Sequence, residues 1–128
     1  MAIIVKKRPK HLDLTKIKLP IPGVVSILHR VSGAILFFAF IPLLLLALGA
    51  SLGSAESFAA LQAKLSHPFL KLSLLGFAWA YLHHFFAGIR YLLLDIHKGA
   101  DLQSARLSAK IVMAASILLT LLIGVRIW

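Results

Sequence analysis

Three long apolar stretches alternate with short polar ones along the chain, and each is long enough for a membrane-spanning helix. The uncharged run at 31–55 has 25 residues, more than the roughly 20 that cross about 30 Å of hydrocarbon. The second stretch carries only Lys71 and Arg90 as charged residues, and the third contains the uncharged run 111–125. The pattern predicts an all-α membrane protein with helices at about 23–52, 68–94 and 104–127.

Residues 1–22 differ from this pattern and predict an extended cytoplasmic arm before a transmembrane domain at 23–128. The arm holds six lysines and arginines, three prolines and no serine, which is unlike a serine-rich transit peptide and favours a bacterial protein. Pro42 falls inside the first predicted helix and should kink it or loosen one turn. Between the first two helices, Phe58, Leu61 and Leu65 recur at roughly helical spacing and predict a short interfacial helix.

Composition and charge support the membrane interpretation. The chain is 60% hydrophobic and has a net charge of +10, with a mean hydropathy of +0.94. Its basic residues flank the apolar runs and form no continuous stripe, so the charge does not indicate a nucleic-acid partner. Eleven basic residues fall on the side of the N-terminal arm and three on the other. The positive-inside rule therefore predicts a cytoplasmic N-terminus and a periplasmic C-terminus.

The residue inventory excludes several kinds of chemistry. The chain has no cysteine, which rules out a thiolate-ligated iron–sulfur cluster within it. Its only acidic residues are Asp13, Glu56, Asp95 and Asp101, too few for carboxylate-rich metal sites or a carboxylate pair for hydrolysis. Any redox centre must therefore use histidine or belong to a partner.

The segment 81–95, YLHHFFAGIRYLLLD, carries the strongest chemical signal. His84 and Gly88 are four residues apart and share a helix face, so an imidazole would lie one turn from bare backbone that admits a flat macrocycle such as haem. Arg90 follows about 9 Å along the axis, near enough to meet haem propionates. The side chains of His83 and His84 point about 100° apart around the helix, so they cannot bind one haem from both of its faces. We expect His83 to pack or to form hydrogen bonds.

A second polar cluster lies where the first helix enters the membrane. Ser26 and Arg30 are four residues apart, and His29 is three from Ser26 and four from Gly33. Ionisable residues inside a membrane helix are usually functional, so this cluster predicts a binding site. If His84 ligates a haem, the residues alone leave the second axial ligand open between His29 and a residue of a partner.

Taken together, these motifs resemble the cytochrome b membrane-anchor subunit of bacterial succinate dehydrogenases. The resemblance covers nearly the whole chain and agrees with three spans. It rests on RP at 8–9, HL at 11–12, SILHRVSG at 26–33, HxxxGIR at 84–90, Asp95, and RxxAK at 106–110.

The resemblance implies a role for each matched residue. His84 would be an axial ligand of haem b, whose other histidine comes from a second membrane-anchor subunit. Ser26 and Arg30 would line the ubiquinone pocket, while Arg30 and His29 would lie near a haem propionate. Asp95 matches an aspartate close to the quinone site, although pairing with a basic residue explains it equally well. Tyr91 departs from the family, which often has histidine there, and puts that histidine's contact with the haem edge in doubt.

The same resemblance implies the assembly. The chain would form half of a two-subunit haem-binding bundle that anchors a flavoprotein and an iron–sulfur protein to a bacterial inner membrane. It would be inactive alone, since succinate is oxidised in the flavoprotein. Two alternatives stay open: a structural anchor without haem, and the equivalent subunit of a menaquinol-linked fumarate reductase. A transporter is disfavoured, because three spans with few carboxylates and no repeat offer little coupling chemistry.

Overall fold

The computed structural model describes residues 16–128, so the motifs at 8–9 and 11–12 and most of the predicted arm lie outside the described residues. Within that range three helices are long and apolar enough to cross a membrane. We call them the first, second and third spans: Ile21–Gly53, Pro68–Asp95 and Leu102–Ile127. The prediction of an all-α protein with three membrane-spanning helices is confirmed.

Two spans begin two residues before their predicted starts. The first begins at Ile21 with Pro22 in its first turn, where proline is tolerated because the backbone N–H there has no partner within the helix. The third begins at Leu102 because the Asp101 carboxylate caps it, accepting a hydrogen bond of 2.9 Å from the backbone N–H of Ser104. Hydrogen bonding from Ser104 lowers the pKa of Asp101, so the cap is charged at neutral pH.

The first span contains a π-helical turn at Leu36–Phe40, directly before Pro42. There the N–H of Ile41 donates to the carbonyl of Leu36, five residues earlier. Proline has no N–H, and its ring crowds the carbonyl four residues before it. The wider turn accommodates both effects without ending the helix, which confirms the expectation that Pro42 loosens one turn.

A short helix, Ala55–Leu65, connects the first span to the second. Ser54 and Ser57 form a reciprocal capping box at its start. The Ser57 hydroxyl also donates a hydrogen bond of 2.6 Å to the carbonyl of Ala50, near the end of the first span. The link is therefore a folded element in the place where the sequence predicted a helix.

The second span packs against both other spans, and more extensively against the third. Near its start, Leu75 lies against Gly124 in the last turns of the third span. Near its end, Arg90 contacts Ser108 in the third span's early turns. Residue numbers rise along one span while they fall along the other, so the two helices are antiparallel.

The core between the spans is small and built from short side chains. Val25 of the first span, Ala87 of the second, and Ala109 and Val112 of the third are buried together. Short residues let membrane helices approach closely, so that van der Waals contact stabilises the bundle. The first span contributes least to this core. Of its most apolar 18-residue stretch 6% is buried, against 17% in each of the other two spans. Most of its apolar surface faces outward.

This packing predicts that Ala109→Leu disrupts the bundle. Ala109 is fully buried, and added methylenes in a packed core typically cost about 1–3 kcal/mol. Thermal denaturation of the detergent-solubilised complex should show a lower midpoint for Ala109→Leu than for Ala114→Leu, which alters an exposed position of the same span. A wild-type midpoint for Ala109→Leu would contradict the close approach of the spans.

Candidate functional site

The site centres on two stacked imidazoles, one from each of the first two spans. The rings of His29 and His84 have centroids 4.2 Å apart and planes inclined by 12°. Both side chains are half-buried. Two polar clusters that are far apart in the sequence therefore meet, as the resemblance implied they would.

Each histidine faces a glycine of the opposite span. A Cβ built on Gly33 would lie 2.8 Å from Cε1 of His84, and one built on Gly88 would lie 3.8 Å from Nε2 of His29. The pairs run in opposite order along the two spans, so these helices too are antiparallel. The bare backbone beside His84 therefore belongs to Gly33 and not to Gly88.

The expectation that the His84 ring lies beside Gly88 is thus wrong, for a geometric reason. In a helix each Cα–Cβ bond tilts toward the N-terminus, so a side chain covers the turn before its own residue. Gly88 lies one turn after His84, on the uncovered side. His29 of the antiparallel first span occupies that place.

Hydrogen bonds orient the His84 ring. Its Nδ1 lies 3.0 Å from the backbone carbonyl oxygen of His29 and 3.4 Å from Oγ of Ser32. The Ser32 hydroxyl donates to the same carbonyl over 3.0 Å. A carbonyl oxygen can only accept, so Nδ1 of His84 carries the hydrogen. Its Nε2 then keeps a lone pair that is available to a metal.

Tyr91 also packs against His29. Its ring centroid lies 5.1 Å from that of His29, with the planes inclined by 44°. The guanidinium carbon of Arg90 lies 5.6 Å from the same tyrosine ring. Tyr91 therefore packs in the site although its residue type departs from the family pattern.

His83 has no role in this cluster. It is fully buried and stacks on Trp79, one turn earlier, with ring centroids 5.3 Å apart. Neither ring nitrogen has a hydrogen-bond partner among the described residues. The expectation that His83 packs is confirmed.

Arg90 points to the third span instead of the histidines. Its Nε donates to Oγ of Ser108 over 3.0 Å, and a terminal nitrogen lies 3.4 Å from the carbonyl of Ala105. The side chain is only 6% exposed. The expectation that Arg90 reaches haem propionates is not supported. Six residues after His84 place it about 120° away around the helix, on the face that packs against the third span.

The remaining predicted site residues lie at the same end of the bundle. Ser26 is half-buried and Arg30 is exposed, one turn apart on the first span and on either side of His29 in sequence. Asp95 is the last residue of the second span and is exposed. Since the first two spans are antiparallel, the start of one and the end of the other meet, so these three residues lie toward the same end of the bundle.

Sequence reasoning missed the roles of Ser32, Gly33 and Ser108. One signal could have revealed Gly33: both spans carry a histidine followed by a glycine four residues later, at 29 and 33 and at 84 and 88. In an antiparallel pair, two such motifs can match each histidine with the glycine of the other helix. Nothing comparable in the sequence marks Ser108 as the partner of Arg90.

Comparison with known proteins identifies close similarity over nearly the whole chain. Residues 5–123 match the model of the family described as succinate dehydrogenase/fumarate reductase transmembrane subunit. The chain is 41% identical over 123 residues to the succinate dehydrogenase cytochrome b556 subunit of Coxiella burnetii, covering 95% of this chain and 98% of that protein. It is 34% identical to the subunit of the same name from Rickettsia felis, covering 95% of this chain and 94% of that protein. The corresponding subunit of Paracoccus denitrificans is 30% identical, with coverage of 90% and 88%.

The buried contact of Arg90 predicts an energetic coupling with Ser108. A hydrogen bond to a charged group typically contributes about 1.5–3 kcal/mol. A double-mutant cycle of Arg90→Ala and Ser108→Ala should therefore show non-additive losses of that order in the free energy of unfolding, measured by SDS titration in mixed micelles. Arg106→Ala, at an exposed position of the third span, should combine additively with Ser108→Ala. Additive losses for the first pair would contradict the contact.

Proposed function

Because this chain belongs to the succinate dehydrogenase/fumarate reductase transmembrane subunit family, we propose that it is the cytochrome b anchor subunit of a bacterial succinate dehydrogenase. It binds haem b together with a second membrane-anchor subunit and helps to form the site where ubiquinone is reduced. The enzyme's carbon chemistry belongs to its other subunits. When bound, the haem supplies an iron that carries one electron at a time.

The orientation of His84 carries the proposal. Its Nδ1 is engaged by the backbone carbonyl of His29, which leaves Nε2 as the nitrogen that can bind iron. A ligating histidine commonly donates its other ring N–H in this way, and the bond fixes its tautomer and increases its basicity. The side chain is half-buried, so it combines an orienting hydrogen bond with access from outside the chain. These features fit a haem ligand.

The second axial ligand comes from the partner anchor subunit. His84 would hold the haem iron from this chain, and another histidine would complete its protein ligands. The His29 ring lies parallel on that of His84, so its nitrogens do not point toward Nε2 of His84. His83 is enclosed among the spans, with no exposed surface. Neither histidine suits the second position, which supports a ligand from the partner.

Ser26 and Arg30 bind the quinone. Within residues 16–128 neither the Ser26 hydroxyl nor the Arg30 guanidinium forms a hydrogen bond. Both groups can therefore donate one to a carbonyl oxygen of the substrate. Fixed donors away from bulk water stabilise the negative charge that develops there during reduction. We also assign Arg30 and His29 to the surroundings of a haem propionate. Asp95 lies at the same end of the bundle, which supports its assignment near the quinone site.

The wider assembly follows from the same family membership. The chain anchors an iron–sulfur subunit and a flavoprotein to the cytoplasmic face of the bacterial inner membrane, with its N-terminus in the cytoplasm and its C-terminus in the periplasm. Lipid surrounds the exposed apolar surfaces. The family description covers both succinate dehydrogenases and fumarate reductases, but the relatives are named as succinate dehydrogenase subunits. Their names favour succinate oxidation over the menaquinol-linked reverse reaction.

Haem ligation predicts that His84→Ala removes a b-type signal from the reduced-minus-oxidised optical spectrum of the complex, purified by a tag on this chain. Without the imidazole the iron loses one of its two protein ligands. His67→Ala, which alters an exposed histidine at the start of the second span, should keep the signal. Wild-type complex without haem would instead support a purely structural anchor, and a haem signal retained in His84→Ala would refute the ligand assignment.

Quinone binding predicts that Ser26→Ala lowers kcat/KM for ubiquinone about 10-fold, the effect of losing about 1.4 kcal/mol of hydrogen bonding. Haem content should not change, because Ser26 makes no contact with His84. Ser73→Ala is the matched control, since its hydroxyl donates only to the backbone carbonyl of Phe69 within the second span. Steady-state reduction of a soluble ubiquinone analogue measures the effect. Equal kcat/KM in both variants and wild type would remove Ser26 from the quinone site.

A further inference from the structure

We propose that Ser32 and Gly33 are positioning residues that together form a seat for the His84 ring on the first span. Ser32 helps to hold the ring's hydrogen bond, and Gly33 leaves the space that the ring fills. The inference rests on the proposed function, because it assigns these two residues to the haem through His84. Neither residue needs to touch the haem.

The contribution of Ser32 is a shared hydrogen-bond system. Its side chain is 1% exposed, and its hydroxyl donates to the His29 carbonyl over 3.0 Å. The same carbonyl lies 3.0 Å from Nδ1 of His84, and Oγ of Ser32 lies 3.4 Å from that nitrogen. The three groups form a closed triangle in which the N–H of His84 points to two oxygens. Rotation of the ring about its Cβ–Cγ bond would break both contacts.

The contribution of Gly33 is the absence of a side chain. A Cβ there would lie 2.8 Å from Cε1 and 3.2 Å from Nδ1 of His84, both shorter than ordinary van der Waals contact. Alanine would therefore force the ring to move or push the two spans apart. Movement at Cε1 and Nδ1 also moves Nε2, because the imidazole is rigid.

The face of the ring is closed as well, so the seat leaves His84 little freedom. His29 stacks on it at a centroid distance of 4.2 Å. Stacking on the face, hydrogen bonding at Nδ1 and backbone contact at Cε1 restrict the ring in three directions. Nε2 forms no hydrogen bond with residues 16–128, as a metal-binding nitrogen requires. Supporting groups of this kind typically change metal affinity about 10- to 100-fold when they are removed.

Other glycines of the chain provide matched controls. A Cβ on Gly88 would lie 3.8 Å from Nε2 of His29, an ordinary contact distance, and a Cβ on Gly49 would meet nothing within 4 Å. Alanine at all three positions also raises helix propensity by the same amount. Any difference between Gly33→Ala and these controls therefore reports the space beside His84.

The test compares Gly33→Ala, Gly88→Ala and Gly49→Ala in the purified complex. We expect Gly33→Ala to bind haem about 10- to 100-fold more weakly, which would appear as fewer haems per complex, and to shift the low-spin electron paramagnetic resonance signal of the haem that stays bound. Gly88→Ala and Gly49→Ala should match the wild type in both measurements. Equal haem content and equal resonance positions in all three variants would overturn the role of Gly33.

A second variant keeps the proposal testable if Gly33→Ala does not assemble. Ser32→Ala removes one hydroxyl and adds no volume, and we expect it to change the reduction potential of the haem. Ser116→Ala is its matched control, because Ser116 is also fully buried and bonds a carbonyl three residues earlier, that of Met113. An unchanged potential in Ser32→Ala would overturn the role of Ser32.

The controls also separate this inference from the proposed function. A wild-type complex without haem, or a haem retained in His84→Ala, would refute haem ligation by this chain and the seat with it. Wild-type complex with haem that is lost in His84→Ala, together with normal spectra and potential in Gly33→Ala and Ser32→Ala, would leave the function standing and remove the seat alone.

Discussion

The approach of the first and second spans at His29 and His84 is the contact on which the rest of the site depends. The two rings stack at a centroid distance of 4.2 Å because Gly33 leaves the space that the His84 ring fills, where a Cβ would lie 2.8 Å from Cε1. The match works in one register, because a shift of one residue would place a side chain against that ring. Ser26 and Arg30 lie within one turn of His29, so the same register places them relative to His84.

The interior is specified by polar contacts as much as by apolar bulk. Four of the nine residues buried within 16–128 are polar or charged: Ser32, His83, Arg90 and Ser116. In hydrocarbon, where water cannot satisfy such groups, each must find a partner in the protein. Arg90 does so on the third span and ties it to the second. The His83 ring stacks on Trp79 in this interior.

The residues whose roles follow from one helix could be predicted, and those that depend on two helices could not. Apolar length defined the spans, and the effect of proline on its own helix foretold the loosened turn before Pro42. The neighbour of His84 required knowing which glycine the antiparallel helix brings opposite it, and spacing within one helix indicated Gly88 in place of Gly33. Arg90 was misjudged because its rise along the axis was counted without its rotation around it. The assignment of His84 as a haem ligand stays a prediction: its motif lies within one helix, whereas Ser32 and Gly33, which contact its ring, lie in another.

Association with a second subunit would explain both the small core and the form of the proposed haem site. Short side chains allow close packing of three helices but bury little surface, and the first span leaves most of its apolar residues facing outward. In the proposed site this chain would offer one imidazole, that of His84, to the haem, whereas His83 is enclosed and His29 is stacked on His84. A second subunit packed on the exposed surface would cover the apolar residues and supply the opposite ligand in one association. Haem binding would then depend on that association, and the association would gain stability from the haem, because a group that binds only the assembled state favours assembly.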